Sequence, residues 1–344
     1  MTDTTLPTLD WHDLGTPHGK GFTDTLRPYD RLPGRAEALV PEAVWDLSRM
    51  ASGLFTRVRT NATTIAVRYT LGLPELGMTH MPPTAVSGID LYADTPDGDT
   101  HSRWIAVAHP ATFPNVEALL ADGIDAGERD FTLWFPLFNR VESAEIGLTP
   151  GASFTLLPED ETPPIVYYGT SIIHGASASR PGMTVSAQLS RRLGRRVLGL
   201  GFSGNGKMEV ELAELIAEIP AAVYVIDCLP NMDADLVAER ALPFLEALRA
   251  KRPDTPILLV EDRTLEHAWV VALEREKHAA RRAELRAAYD AMIAQGDTHI
   301  TLIPAEGLLG TDGDGTVDCS HPTDLGFFRQ ADILEPVLRS LIDG

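Results

Sequence analysis

Three residues, widely separated in sequence, could together carry out acyl transfer. Ser171 stands in Tyr168-Gly169-Thr170-Ser171-Ile172-Ile173-His174-Gly175, directly after an apolar run that reads as a strand. A serine there sits at the carboxyl edge of a sheet, where the following turn can aim backbone N–H groups at a carbonyl under attack. A hydroxyl is a weak nucleophile and needs a base of near-neutral pKa, whose imidazole in turn needs an acceptor to fix its tautomer. Asp318-Cys319-Ser320-His321-Pro322 offers both, since an acid and an imidazole three residues apart fit one side of a turn. Singly, a serine at such a junction is more often a turn or cap residue, and a lone D-x-x-H is more often structural. Their pairing across one sheet gives them weight.

The elements that must position them differ between the two halves of the chain. Up to about residue 157 the apolar positions alternate with period two, as in Ile65, Val67, Tyr69 and Leu71, in Phe131, Leu133, Phe135 and Leu137, and in Ala144, Ile146 and Leu148. Further short strands are expected at 88–93 and 104–109, and a helix near 41–50. An antiparallel β-sandwich, jelly-roll-like, accounts for this pattern. The acidic, proline-rich stretch 158–164 reads as a linker. Beyond it, apolar runs at 165–168, 197–202, 221–228, 257–260 and 300–304 are each followed by a helical stretch. Leu212, Leu215, Ile216 and Ile219 fall on one helical face, as do Leu334, Val337, Leu338 and Leu341. The pattern predicts an α/β unit: a five-stranded parallel sheet flanked by helices, with its reactive loops at the carboxyl ends of the strands. The expected division is a sandwich accessory domain over 1–157, a linker over 158–164 and a catalytic domain over 165–344.

From about 163 to 343 the chain resembles the SGNH hydrolase (GDSL esterase) superfamily, whose fold is flavodoxin-like. Gly169-Thr170-Ser171 resembles its first block, and implies Ser171 as nucleophile with its own N–H in an oxyanion hole. Phe202-Ser203-Gly204-Asn205 resembles the second and implies the Gly204 N–H as another donor. Pro230-Asn231 resembles the third and implies the Asn231 side-chain amide as a third donor; 318–321 resembles the block that carries the orienting acid Asp318 and the base His321. Thr170 replaces the family's usual aspartate, and Pro230 and Met232 replace its usual glycine and aspartate around the asparagine. The N-terminal half, including Arg27-Pro28-Tyr29-Asp30-Arg31-Leu32-Pro33, resembles the sandwich ahead of this domain in two-domain carbohydrate acetylesterases. The resemblance implies a serine esterase that removes a small acyl group, acetyl above all, from a carbohydrate or similar polyol, with no metal or cofactor. A longer-chain lipase or thioesterase and a non-catalytic carbohydrate-binding protein are the alternatives.

Other signals weigh less. Gly199-Leu200-Gly201-Phe202-Ser203-Gly204 spells G-x-G-x-x-G, with Asp227 further on, but its first glycine falls inside the strand, so it reads as an oxyanion loop and not a dinucleotide site. Asp312-Gly313-Asp314-Gly315-Thr316 begins like a calcium loop, yet the sixth position is Val317 and no glutamate stands at the twelfth, so a solvated turn is expected. His174 is expected on the pocket's polar rim. His80 could reach the pocket from the 77–83 loop, although an ordinary inter-strand loop is the simpler reading. Trp104, Trp134 and Tyr92 are assigned to core packing over sugar stacking, and 274–286 to a solvated helix face.

The chain has 29 Lys and Arg against 49 Asp and Glu, a formal net charge of -20, and such a field repels nucleic acid. The first fifteen residues show no basic and apolar leader pattern, and no run approaches the roughly 18 apolar residues of a spanning helix. A cytoplasmic protein with no membrane partner is expected, its partner being a small-molecule or oligosaccharide ester, with homo-oligomerisation left open. The two cysteines, Cys228 and Cys319, are too far apart for a C-x-x-C pair and are expected to be buried free thiols.

Overall fold

The computed structural model describes residues 6–95 and 102–343. The first half forms two antiparallel sheets. One has the order β1-β8-β3-β6, made of β1 (Asp10–Asp13), β8 (Val141–Leu148), β3 (Thr64–Leu71) and β6 (Asn115–Asp122). The other has the order β5-β4-β7-β2-β9, made of β5 (Arg103–Val107), β4 (Asp90–Ala93), β7 (Arg129–Trp134), β2 (Phe55–Thr60) and β9 (Thr155–Leu156). From β5 to β9 the chain changes sheet at every step, as in a jelly roll, and the turn between β2 and β3 likewise crosses from one sheet to the other. Val67, Tyr69, Phe131, Leu133, Ile146 and Leu148, the period-two rows, fill the space between them.

The second half is a parallel sheet in the order β11-β10-β12-β13-β14, built from β10 (Ile165–Gly169), β11 (Val197–Gly201), β12 (Val223–Asp227), β13 (Ile257–Val260) and β14 (Ile300–Ile303). β10 to β13 are buried throughout, which is why they read as continuous apolar runs rather than alternating ones. One face is covered by α4 (Val185–Leu193) and α8 (Asp324–Asp343) through Leu189, Phe327, Leu334 and Leu338. The other carries α5 (Val210–Ile216), α6 (Ala234–Lys251) and α7 (Ala272–Ala294).

The N-terminal residues are not confined to the sandwich. Phe22, Leu32, Val40, Val44 and Trp45, the last two on α1 (Glu42–Ser48), lie in the same core as Val166, Leu198 and Leu200 of the parallel sheet. Arg31 fastens this segment. Its guanidinium is 2% exposed and donates to the carbonyls of Gly199 and Gly201 at 3.0 Å, Met50 at 3.0 Å and Leu47 at 2.7 Å. It also lies 5.2 Å from the centre of the Phe202 ring. Burial without a carboxylate pushes its pKa down to about 9.

A second seam joins the sandwich to the 174–182 stretch. Asp90 of β4 is fully buried and accepts from Gly182 N–H at 2.8 Å, Arg180 Nη1 at 2.9 Å and Trp104 Nε1 at 2.8 Å. Thr84, on the short α2 (Pro83–Val86), donates to the Ser179 carbonyl at 2.7 Å, and Ser52 donates to that of His174 at 2.7 Å.

Arg31→Ala is expected to leave four carbonyls without their donor and to cost roughly 3 kcal/mol, at about 1–3 kcal/mol per buried unsatisfied group with partial relaxation. Urea unfolding measures this. Arg31→Lys is expected to recover little, because one ammonium cannot span the four acceptors, and a loss below about 1 kcal/mol for the alanine variant would show that the fastening is unimportant.

Candidate active site

Ser171 opens α3 (Ser171–His174), a single turn set directly on the end of β10. Thr170 caps that turn, its hydroxyl accepting from Ile172 N–H at 3.4 Å, and Gly175 closes it in the left-handed conformation at φ 99°. The serine is therefore carried at the carboxyl edge of the sheet by backbone geometry that its neighbours enforce.

The loop after β14 brings the partners. Ser171 Oγ lies 2.8 Å from His321 Nε2, and His321 Nδ1 lies 2.7 Å from Asp318 Oδ2. An ionised carboxylate only accepts, so the ring carries its proton on Nδ1 and presents a lone pair on Nε2 to the serine hydroxyl. The other Asp318 oxygen accepts from the backbone N–H groups of His321 at 2.7 Å and Ser320 at 3.1 Å. This tight turn places Cys319 at φ 73°, a left-handed conformation that a non-glycine residue adopts at a cost. The His321 side chain is 26% exposed, enough for a substrate to reach it.

Burial alone would raise the Asp318 carboxyl, but the hydrogen bonds from His321 and Ser320 outweigh it and hold the group below its ordinary value. The carboxylate thus stays charged beside the ring as the solution is acidified.

The expected oxyanion donors lie in two neighbouring loops. Phe202 N–H donates to the Gly169 carbonyl at 3.0 Å, bringing 202–206 against the end of β10. Gly206, at φ 70°, is so close that an added Cβ would stand 2.2 Å from the Gly169 oxygen. Gly204 also has φ 70°. Among the described residues, nothing in the chain accepts from the N–H groups of Ser171 or Gly204. Asn231, in the 3-10 turn Leu229–Asn231 after β12, donates one amide proton to the Asn205 carbonyl at 2.6 Å, which fixes the amide while leaving its second proton available.

Beneath the site, Arg263 pairs with both oxygens of Asp227 at 2.5 and 2.6 Å, and Tyr167 donates to the same carboxylate at 3.0 Å. Asp227 is thereby a buried structural acid, and the glycine-rich stretch has a packing role: at Gly201 a Cβ would stand 1.9 Å from the His174 nitrogen.

Several expectations are corrected. His174 is not a rim residue; it is fully buried, stacks on Phe138 at 4.1 Å and lies within hydrogen-bond distance of the Leu137 carbonyl, at 2.8 Å. Burial, and then the charge of Arg31, push its pKa far down, so it is neutral. His80 does reach the site, its ring 5.7 Å from that of His321. Trp104 is 48% exposed and lies over Arg180 at 4.6 Å, whereas Trp134 and Tyr92 are buried. Cys228 is buried but Cys319 is only partly so. Asp312 is engaged by Arg329 at 2.8 and 2.6 Å, and among the described residues no cluster of His, Cys, Asp and Glu is placed to hold a metal ion. Most of 274–286 is the expected exposed face, but some of its side chains are also bonded: His278 is buried against Asp262 at 2.6 Å, Arg286 pairs with Glu261 at 2.5 Å and Arg282 bonds the Asp262 carbonyl.

A serine, an imidazole and a carboxylate stand in hydrogen-bonded line at the edge of a parallel sheet, an arrangement capable of acyl-transfer chemistry. The sequence matches the profile of the GDSL-like lipase/acylhydrolase family over residues 162–339, and the chain belongs to that family as a carboxylic ester hydrolase. Residues 9–154 match the GxDLY domain found at the N-terminus of SGNH-hydrolase-type esterases. Its pattern is spelled here by Gly88-Ile89-Asp90-Leu91-Tyr92, which contains the buried Asp90 of the domain seam. A Bacteroides ovatus protein assigned as a GDSL-like lipase is 30% identical, with a TM-score of 0.92 and 98% of each chain covered. A salicylyl-acyltransferase from a tetracycline biosynthetic pathway shares the fold at 19% identity and TM-score 0.71, covering 98% of this chain and 96% of that one. So does a family two carbohydrate esterase from Clostridium thermocellum, solved with cellohexaose, at 15% identity and TM-score 0.57, covering 85% and 93%. No curated protein matches the chain. Among the described residues no helix is long and apolar enough to cross a membrane.

The depressed Asp318 pKa sets an expectation for pH dependence. Its carboxylate keeps its charge until the pH falls below that lowered value, so Asp318 is expected to hold the ring across the ordinary working range and its loss to add nothing to the first acid-side fall in rate. kcat/KM against pH is expected to fall on the acid side with unit slope. A slope of two, with Asp318 lost alongside a second group, would contradict this.

Proposed function

We propose that the protein is a serine esterase that removes small acyl groups, acetyl above all, from a carbohydrate or similar polyol. In this reading Ser171 Oγ attacks the ester carbonyl as its proton passes to His321 Nε2, while Asp318 holds the Nδ1 proton and stabilises the imidazolium. The tetrahedral oxyanion is held by the N–H groups of Ser171 and Gly204 and by the free amide proton of Asn231. Collapse breaks the ester C–O bond, and the departing alkoxide takes the proton from His321. Water, deprotonated by the same nitrogen, then frees the acid and restores the serine.

The observation that carries the reading is the 2.8 Å separation of Ser171 Oγ from His321 Nε2, with Asp318 at the far side of the ring. The carbohydrate is supported by the shared two-unit fold of the family two carbohydrate esterase. The division into a sandwich within 1–157, a linker over 158–164 and a catalytic unit over 165–344 belongs to the same proposal, with the sandwich supplying His80 at the edge of the site. Two free thiols and no disulfide support a cytoplasmic setting.

A second reading, a preference for longer acyl chains, is favoured by apolar surface beside the catalytic loop: Trp269 is 81% exposed, Val270 64% and Val317 49%.

Ser171→Ala is expected to abolish hydrolysis of p-nitrophenyl acetate while the circular dichroism spectrum and melting temperature stay near wild type; a variant that keeps most turnover removes Ser171 from the mechanism. On wild-type protein, kcat/KM is expected to decline steeply beyond about four acyl carbons, whereas a rise toward the octanoate ester would select the long-chain reading.

A further inference from the structure

Asp318 and His321 sit on a loop after β14, and a loop keeps a base within reach of its nucleophile only if something outside it fixes its path. Glu266, in the 3-10 turn Glu266–Trp269 after β13, grips that loop at three points. Its carboxylate accepts from the Gly315 N–H at 2.7 Å and from the Thr316 hydroxyl, and its own backbone N–H donates to the Cys319 carbonyl at 3.1 Å. Cys319 is the residue in the left-handed conformation between Asp318 and His321. The direct donors to the Glu266 carboxylate are these neutral groups of the loop, while Arg329, itself paired with Asp312, acts on it only at longer range. The loop adds its own bonds, from Val317 N–H to the His321 carbonyl and from Thr323 N–H to the Gly315 carbonyl, both at 2.9 Å. These close the loop on itself and join it to the start of α8. The Glu266 contacts lie on either side of Asp318 and attach it to the β13 side of the sheet.

We propose that Glu266 is a positioning residue: it holds the 315–321 loop so that the His321 ring stays aligned between Asp318 and Ser171. The proposal rests on the reading of Ser171 and His321 as nucleophile and base. Charge-assisted hydrogen bonds to a carboxylate are the stronger kind, and small misplacements of reacting groups cost rate steeply.

Glu266→Ala is expected to lower kcat on p-nitrophenyl acetate by about 10²-fold with KM nearly unchanged, the split that marks a loss confined to the transition state. Glu266→Gln keeps an acceptor for Gly315 and can donate to a Thr316 hydroxyl that rotates to accept, so it is expected to retain most activity. The downfield proton resonance of His321 Nδ1–H supplies a readout independent of turnover, expected to broaden in Glu266→Ala and persist in Glu266→Gln. Thr316→Val should give a smaller loss of kcat, and carries the test should the alanine variant not fold. Glu266→Ala with wild-type kcat and resonance, or a glutamine variant as impaired as the alanine one, would overturn the proposal. Wild-type protein inert toward esters would instead defeat the esterase reading, while the resonance would still decide whether Glu266 holds the ring.

Discussion

The hydrogen bond that the His321 ring donates to Asp318 fixes where the ring's second nitrogen points, and the edge of the parallel sheet is organised around that nitrogen. A carboxylate that only accepts leaves the ring one tautomer, with its lone pair toward Ser171. The serine is presented by the end of β10, the second strand from one edge of the sheet, between β11 and β12. The loops after those two strands carry Gly204 and Asn231, so the proposed donors would flank the hydroxyl because the strand order is β11-β10-β12. The imidazole arrives from β14, at the far edge, on a loop that must bridge that distance.

Such an edge needs support from below and from the side. Below, the buried Asp227–Arg263 pair is satisfied by Tyr167 and Gln330, which limits the penalty of burying charge at the end of β12. From the side, the sandwich holds the chain that follows Ser171: Ser52 and Thr84 donate to its carbonyls, His174 bonds back to Leu137, and Asp90 ties down Gly182 and Arg180. At the open edge of the sheet, Arg31 sutures the N-terminal segment to β11. The two halves therefore share a core and a set of buried polar bonds, and the sandwich helps to hold the loop behind the nucleophile.

Much of this was legible from residue order because the governing signals are local. Fully buried parallel strands leave unbroken apolar runs, sandwich strands leave period-two rows, and Asp318 and His321 share one turn. The place of Ser171 was legible for the same reason, two residues past the end of β10. What escaped depends on partners remote in sequence. A histidine in a polar-looking loop reads as solvated until Phe138 and Leu137 are known to cover it. Trp104 resembles a core aromatic, but it lies on an outward-facing strand edge against Arg180. Nothing near Arg31 or Glu266 signals that the first spans four carbonyls of other segments, or that the second reaches the catalytic loop some fifty residues away. In the helix at 274–286 the charges looked solvated because their acceptors, Glu261 and Asp262, stand at the end of another element.

The central claim is that the Ser171 hydroxyl is activated by His321 as a nucleophile, and covalent capture tests it most directly. Incubated with a fluorophosphonate and digested, wild-type protein should carry one adduct, on the peptide containing Ser171, with activity lost in proportion to labelling, and His321→Ala should label far more slowly. Labelling at another residue, or an unmodified Ser171 in protein that still hydrolyses esters, would contradict it.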